Sequence, residues 1–125
     1  MSRTRVLDVF EAKALNHQLE RVDIYSASWG PPDDGKHLGG PGKYASQALH
    51  RGVHLGRKGR GAIYVWASGN GGNLGDHCGY DGYSASIYTL TVGALTRQGK
   101  NQIEEWTGTL SSNSSIALDK LSTYS

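Results

Sequence analysis

At 125 residues the chain is the size of one domain or part of one, and 37% hydrophobic and 9% aromatic residues argue against disorder over most of its length. A net charge of +2 is too small to specify a partner, and the 18 glycines cluster in residues 30–42, 52–61 and 69–82 without a period, which excludes a collagen-like repeat and points to glycine-shaped loops. No apolar run reaches the ~20 residues that span a bilayer, so no membrane contact is expected, and the first residues lead into no signal-peptide core. The single cysteine, Cys78, allows no internal disulfide and no thiolate metal cluster.

Val6, Phe10 and Ala14 recur at helical spacing, which predicts a short helix from Val6 to about Asn16. The run from Val22 to Ser28 reads as a buried strand stopped by Trp29-Gly30-Pro31-Pro32. Pro41 suits a first helical turn, and Tyr44, Ala45, Ala48, Leu49 and Val53 then form an apolar stripe running to the glycines at 56 and 59. Residues 61–67 and 87–94 read as two further strands. Strand, helix, strand units make parallel crossovers with ligands gathering beyond the carboxyl ends of the strands, so SWGPPDDG and SGNGG should share one edge of the sheet. The serine-rich stretch after Gly99 is expected to be loosely ordered.

Asn70 follows a strand end between Gly69, Gly71 and Gly72. Its amide suits donation to a developing oxyanion, while the commoner use of an asparagine among glycines is a turn. Asp33, Asp34, Asp76 and Asp81 place four carboxylates on the two converging loops, suited to a hard cation, to a basic side chain, or simply to solvent. Arg51, Arg57, Lys58 and Arg60, with His50 and His54, make a basic stretch. It reads as a complement to the helix dipole before it reads as a nucleic-acid contact, and no nucleic-acid partner is expected. His50 and His54 lie at i and i+4 but lack the Glu of a zinc-protease helix, which argues against zinc. Asn113-Ser114-Ser115 matches a glycosylation sequon by pattern alone.

Three blocks, IYSASWGPPDDGKHLGGP, GAIYVWASGNGG and CGYDGYSASIYTLTVGA, together resemble the subtilisin-like proprotein convertases, with wording nearest the fungal kexin branch. The resemblance runs from Val6 to Gly99 and implies an α/β fold, a partial doubly wound parallel sheet, with residues 1–99 as the central part of a peptidase domain and 100–125 as a divergent tail. It implies a calcium-dependent serine endopeptidase that cleaves after paired basic residues and works in the secretory pathway or Golgi. Carried over residue by residue, it makes Asn70 the oxyanion-hole amide and Ser28, Trp29, Gly30 and Pro31 a wall of the substrate cleft. Asp33 and Asp81 would line the pocket for the arginine before the cut bond, Asp33 and Asp76 would hold calcium, and Glu11 and Tyr83 would meet a residue further upstream in the substrate.

The chain also departs from the family pattern. The blocks bearing the catalytic Asp, His and Ser do not occur in it, so the chain alone is expected to be inactive. The segment after Gly99 does not resemble the family segment that should supply an acidic calcium ligand and a cysteine partner for Cys78, and Glu104 or Glu105 is a poor substitute. Gly39 stands where many convertases carry a further acid. A fragment of an active protease, a non-catalytic chain that binds basic peptides through Asp33 and Asp81, and a nucleic-acid binder using residues 51–60 are the readings open at this point. A sheet without its flanking elements is expected to have unpaired edges and marginal stability.

Overall fold

The computed structural model describes residues 3–95 and Arg97. Two helices and three strands run in the order α1 (Arg3–Leu15), β1 (Ile24–Ala27), α2 (Lys43–Gly59), β2 (Ile63–Ala67), β3 (Thr89–Val92), with a short 3-10 turn at Gly72–Leu74. Each expected element is present, and the expected tail at 100–125 lies outside the described residues. The three strands form one parallel sheet in the order β1-β2-β3, with Ile24 beside Ile63 and Val65 beside Leu90.

Alternation along the strands decides which residues enter the core. Tyr64 and Trp66 of β2 are each only 1% exposed and point to the same face as Ala27 of β1, while Ile63, which alternates to the opposite face, is exposed. Both helices cover that inner face. Leu15 of α1 and Ala45, Ala48 and Leu49 of α2 complete the core with Ala62 and Tyr83. Each fully buried large side chain of this kind contributes roughly 1.5–3 kcal/mol. The phenol of Tyr64 ties the layers together: its Oη donates to the Leu15 carbonyl at 2.7 Å and packs directly on Gly52, where an added Cβ would lie 1.8 Å from the oxygen. Burial pushes the Tyr64 hydroxyl up to about 12, with the nearby Tyr25 adding to the effect.

Three expectations need correction. β1 is a partly exposed strand at the sheet edge among the described residues, not a buried one, because only β2 pairs with it and Ile24 and Ser26 face away from the helices. Pro41 precedes the N-cap Gly42 and so lies outside the first turn of α2. The helical path of α2 also breaks at Gly56, Arg57 and Lys58, the last two with φ of 54° and 59°. Arg57 holds this left-handed corner by donating its backbone N–H to the Leu19 carbonyl at 2.7 Å and its Nε to Asp23 at 2.8 Å. That residue of the basic stretch is therefore structural.

Candidate substrate cleft and carboxylate cluster

The loop after β1 and the loop after β2 meet at the carboxyl edge of the sheet. Asp33 joins them: its Oδ2 accepts the Asn70 backbone N–H at 2.9 Å and, more weakly, the Asn70 Nδ2 at 3.4 Å. Gly69 makes the turn into Asn70 with φ of +93°, a conformation that other residues rarely hold. Asn70 itself is exposed. Its amide is thus presented to solvent by a glycine turn and steadied from behind by a carboxylate.

Asp81 arrives from the segment before β3. A parallel bridge between Gly39 and Asp81, with Gly39 N–H donating to the Tyr80 carbonyl and Gly82 N–H to the Gly39 carbonyl, fastens that segment to the first loop. One Asp81 oxygen accepts the Tyr83 N–H at 2.7 Å, while the other lies 2.8 Å from where a Cβ on Gly30 would stand. The missing Cβ of Gly30 therefore leaves room for the half-buried Asp81 carboxylate to pack beside it. Burial raises the pKa of Asp81, and the negative charges of Asp33 and Asp76 raise it further against the lowering hydrogen bond from Tyr83. Asp33 and Asp76 thus both lie close enough to act on Asp81.

Asp34 is the exception. Its oxygens are taken locally, accepting from the Lys36 and His37 N–H groups at 2.9 and 3.0 Å and bonding His37 Nδ1 at 2.6 Å. These bonds hold its carboxyl below the usual range. Its neighbour in sequence turns inward while Asp34 caps its own turn, so adjacency was misleading here.

The wall expected at residues 28–31 runs directly out of β1, with Ser28, Trp29 and Gly30 exposed and Pro31 half-buried. Trp66 Nε1 donates to the Trp29 carbonyl at 2.7 Å. The Trp29 ring stands edge-on to Trp66 and Tyr83 at 4.7 and 4.9 Å, and Trp66 and Tyr83 stack at 4.7 Å with 6° between planes. Such aromatic contacts each add about 0.5–1.5 kcal/mol beyond burial. Tyr83 is 3% exposed, and its Oη donates to Glu11 Oε2 at 2.5 Å. Burial, then Glu11, raises the Tyr83 pKa, so the phenol stays protonated and holds Glu11 in place. Among the pair, Glu11 is the member with an oxygen left to offer. Trp66 was not singled out from sequence; its signal was an inward strand position two residues before the glycine loop.

Carboxylate oxygens are the right donors for a hard cation. Yet among the described residues no three His, Cys, Asp or Glu side chains converge to hold a metal, and one oxygen each of Asp33 and Asp76 already accepts a backbone N–H. Asp33 and Asp76 thus supply at most part of a calcium shell. Among the described residues, no Lys or Arg pairs with Asp33, Asp76 or Asp81; the two ion pairs present are Asp34 with His37 and Asp23 with Arg57.

A three-stranded parallel sheet with acidic loops meeting at its carboxyl edge and an exposed asparagine on a glycine turn defines an α/β protein of the kind whose ligands gather at that edge. Residues 5–120 match the Subtilase family, and the chain belongs to that family. It is 54% identical over 107 residues to proprotein convertase subtilisin/kexin type 6 of Rattus norvegicus, covering 84% of this chain and 11% of that protein. It is 49% identical over 107 residues to the type 5 protein of Mus musculus, covering 84% of this chain and 6% of that protein. Against the type 4 protein of Mus musculus it is 52% identical over 95 residues, 76% of this chain and 14% of that protein. The chain therefore spans a small fraction of the length of these relatives. Among the described residues, no helix is long and apolar enough to cross a membrane.

Proposed function

We propose that this chain is the central part of the peptidase domain of a proprotein-processing serine endopeptidase, with residues 1–99 carrying the substrate cleft. The observation that carries this reading is the junction of Asp33 and Asn70 near a half-buried Asp81, with no Lys or Arg among the described residues paired with the cluster. An arginine side chain of a polypeptide substrate fits that deficit, because a guanidinium gains charge-assisted hydrogen bonds that an apolar group cannot make. Paired basic residues follow if Glu11, held by Tyr83, meets a second basic side chain. The exposed backbone at Ser28, Trp29 and Gly30 is suited to pairing with an extended peptide as an added strand.

Asn70 then donates to the carbonyl oxygen of the scissile bond as negative charge develops there. The nucleophile and general base come from other parts of the protease, so the chain alone binds without cleaving. Calcium, held in part by Asp33 and Asp76 behind the pocket, belongs to the same proposal, as does a place in the secretory pathway. Calcium takes about 6–8 oxygen ligands, more than these two side chains offer. In the intact protease, Asn70→Leu should lower kcat about 100–1000-fold with little change in KM, the cost of a lost oxyanion donor. An unchanged kcat in Asn70→Leu would leave the amide without that role. A non-catalytic peptide-binding protein is the second reading, favoured by the same unpaired carboxylates. It predicts dibasic-peptide binding by the chain and no cleavage by any longer form.

A further inference from the structure

We infer that His50 and His54 form a two-histidine chelate for a divalent late first-row transition ion, Cu(II) binding most tightly and Zn(II) more weakly. This does not rest on the protease reading. The two residues are one helical turn apart and flank Gly52, whose buried face meets Tyr64, so both project to the outer side of α2 and are exposed. Their rings face each other with centroids 4.3 Å apart and 31° between planes.

Each ring is held by its own contact. His54 Nδ1 lies 2.7 Å from the His50 carbonyl, which can only accept, so Nδ1 carries the hydrogen and the lone pair sits on Nε2. A backbone carbonyl on the second ring nitrogen is the usual support of a metal-binding histidine, since it fixes tautomer and ring direction. The His50 ring stands edge-on to Tyr88 at 5.7 Å and 88°. Tyr88 precedes β3, so the pair lies toward the amino edge of the sheet, while the carboxylates Asp33, Asp76 and Asp81 gather at the carboxyl edge.

The donor type sets the metal. Neutral imidazole suits copper, nickel and zinc and does not suit calcium or magnesium, and affinity along the row peaks at copper. Among the described residues no third His, Cys, Asp or Glu joins the pair, so water completes the coordination shell. A bound ion links one turn of α2 to the next and stabilises the fold by mass action.

The test is titration of the 125-residue chain with Cu(II) alone, read by nitrogen hyperfine structure in its electron spin resonance and by chelator competition. Gln keeps good helix propensity at both exposed positions, and circular dichroism checks that His50→Gln and His54→Gln remain folded. Each single variant should lose roughly 10–100-fold in affinity, and the copper-induced rise in melting temperature should vanish in the double variant. The triple variant His17→Gln, His37→Gln, His77→Gln should bind as the wild type does, and excess calcium should displace no copper. Unchanged affinity in the double variant, or loss of binding in the triple variant, overturns the assignment.

Discussion

At Asp81 the local electrostatics bear directly on the proposed arginine pocket. Burial and the neighbouring charges of Asp33 and Asp76 all favour its protonated form. For a carboxyl whose folded pKa is raised, the stabilising contribution is complete below the unfolded value and is lost as pH rises through the folded value. Relative to Asp81→Asn, the wild-type fold should therefore lose stability as pH climbs through the acid range, measurable as converging or crossing urea midpoints. A bound guanidinium reverses the balance, because it needs the carboxylate ionised. Affinity for an arginyl peptide should rise with pH over that same window and stay flat and weak in Asp81→Asn; a wild type with a flat profile would remove Asp81 from the pocket. Asp33 differs in kind. Its Oδ2 holds the Asn70 N–H, so Asp33→Ala should loosen the Asn70 turn as well as weaken peptide binding, visible as faster hydrogen exchange at Asn70.

At the scale of elements, α2 depends on two residues that lie outside it or seem inert within it. Its N-cap, Gly42, has no side chain to accept from the first turn, and Asp8 of α1 does so instead, taking the Tyr44 N–H at 3.0 Å and the Ala45 N–H at 2.8 Å. Asp8→Ala should cost about 0.5–2 kcal/mol, the usual range for a lost cap, and appear as a lower melting temperature. Gly52→Ala should be worse than its helix propensity suggests. The new methyl would meet Tyr64 Oη, forcing the helix off the sheet or breaking the Tyr64 bond to Leu15, with overpacking alone costing about 1–3 kcal/mol. These two cases mark how far the sequence could be read. The apolar stripe of α2 and the strand runs were legible because periodicity is local. The Asp8 cap was not, since its partners lie 36 and 37 residues away. Nor was the separate fate of Asp33 and Asp34, which one turn of backbone decides. The convergence of the two loops was legible, because parallel crossover topology places both at one edge, and Asp33 with Asn70 realises it.

For the whole molecule, the governing fact is that both helices lie on one face of a parallel sheet. Parallel sheets are ordinarily covered on both faces, and their strands are correspondingly apolar on both. Here the outward positions keep that composition: Ile24, Ile63, Leu90 and Val92 are 57%, 40%, 41% and 52% exposed. The register sets Ile24 against Ile63 and Val65 against Leu90, so an apolar strip runs across the three strands from Ile24 through Ile63 and Val65 to Leu90, with the polar Ser26 beside Val65. An amphipathic reading of the strands would have made these positions polar; their apolar character is what a doubly wound sheet demands, though the described residues supply helices for one side. A contiguous apolar surface of this kind binds hydrophobic dyes and drives association. The 125-residue chain should therefore bind anilinonaphthalene sulfonate strongly while retaining its helical circular dichroism, and should sediment as larger species as concentration rises. Thr keeps β propensity while removing apolar area, so Ile63→Thr with Leu90→Thr should reduce both signals without shifting the far-ultraviolet spectrum. If dye binding and sedimentation are unchanged in that variant, the association surface lies elsewhere, and the exposed strip is not what limits the solubility of the chain.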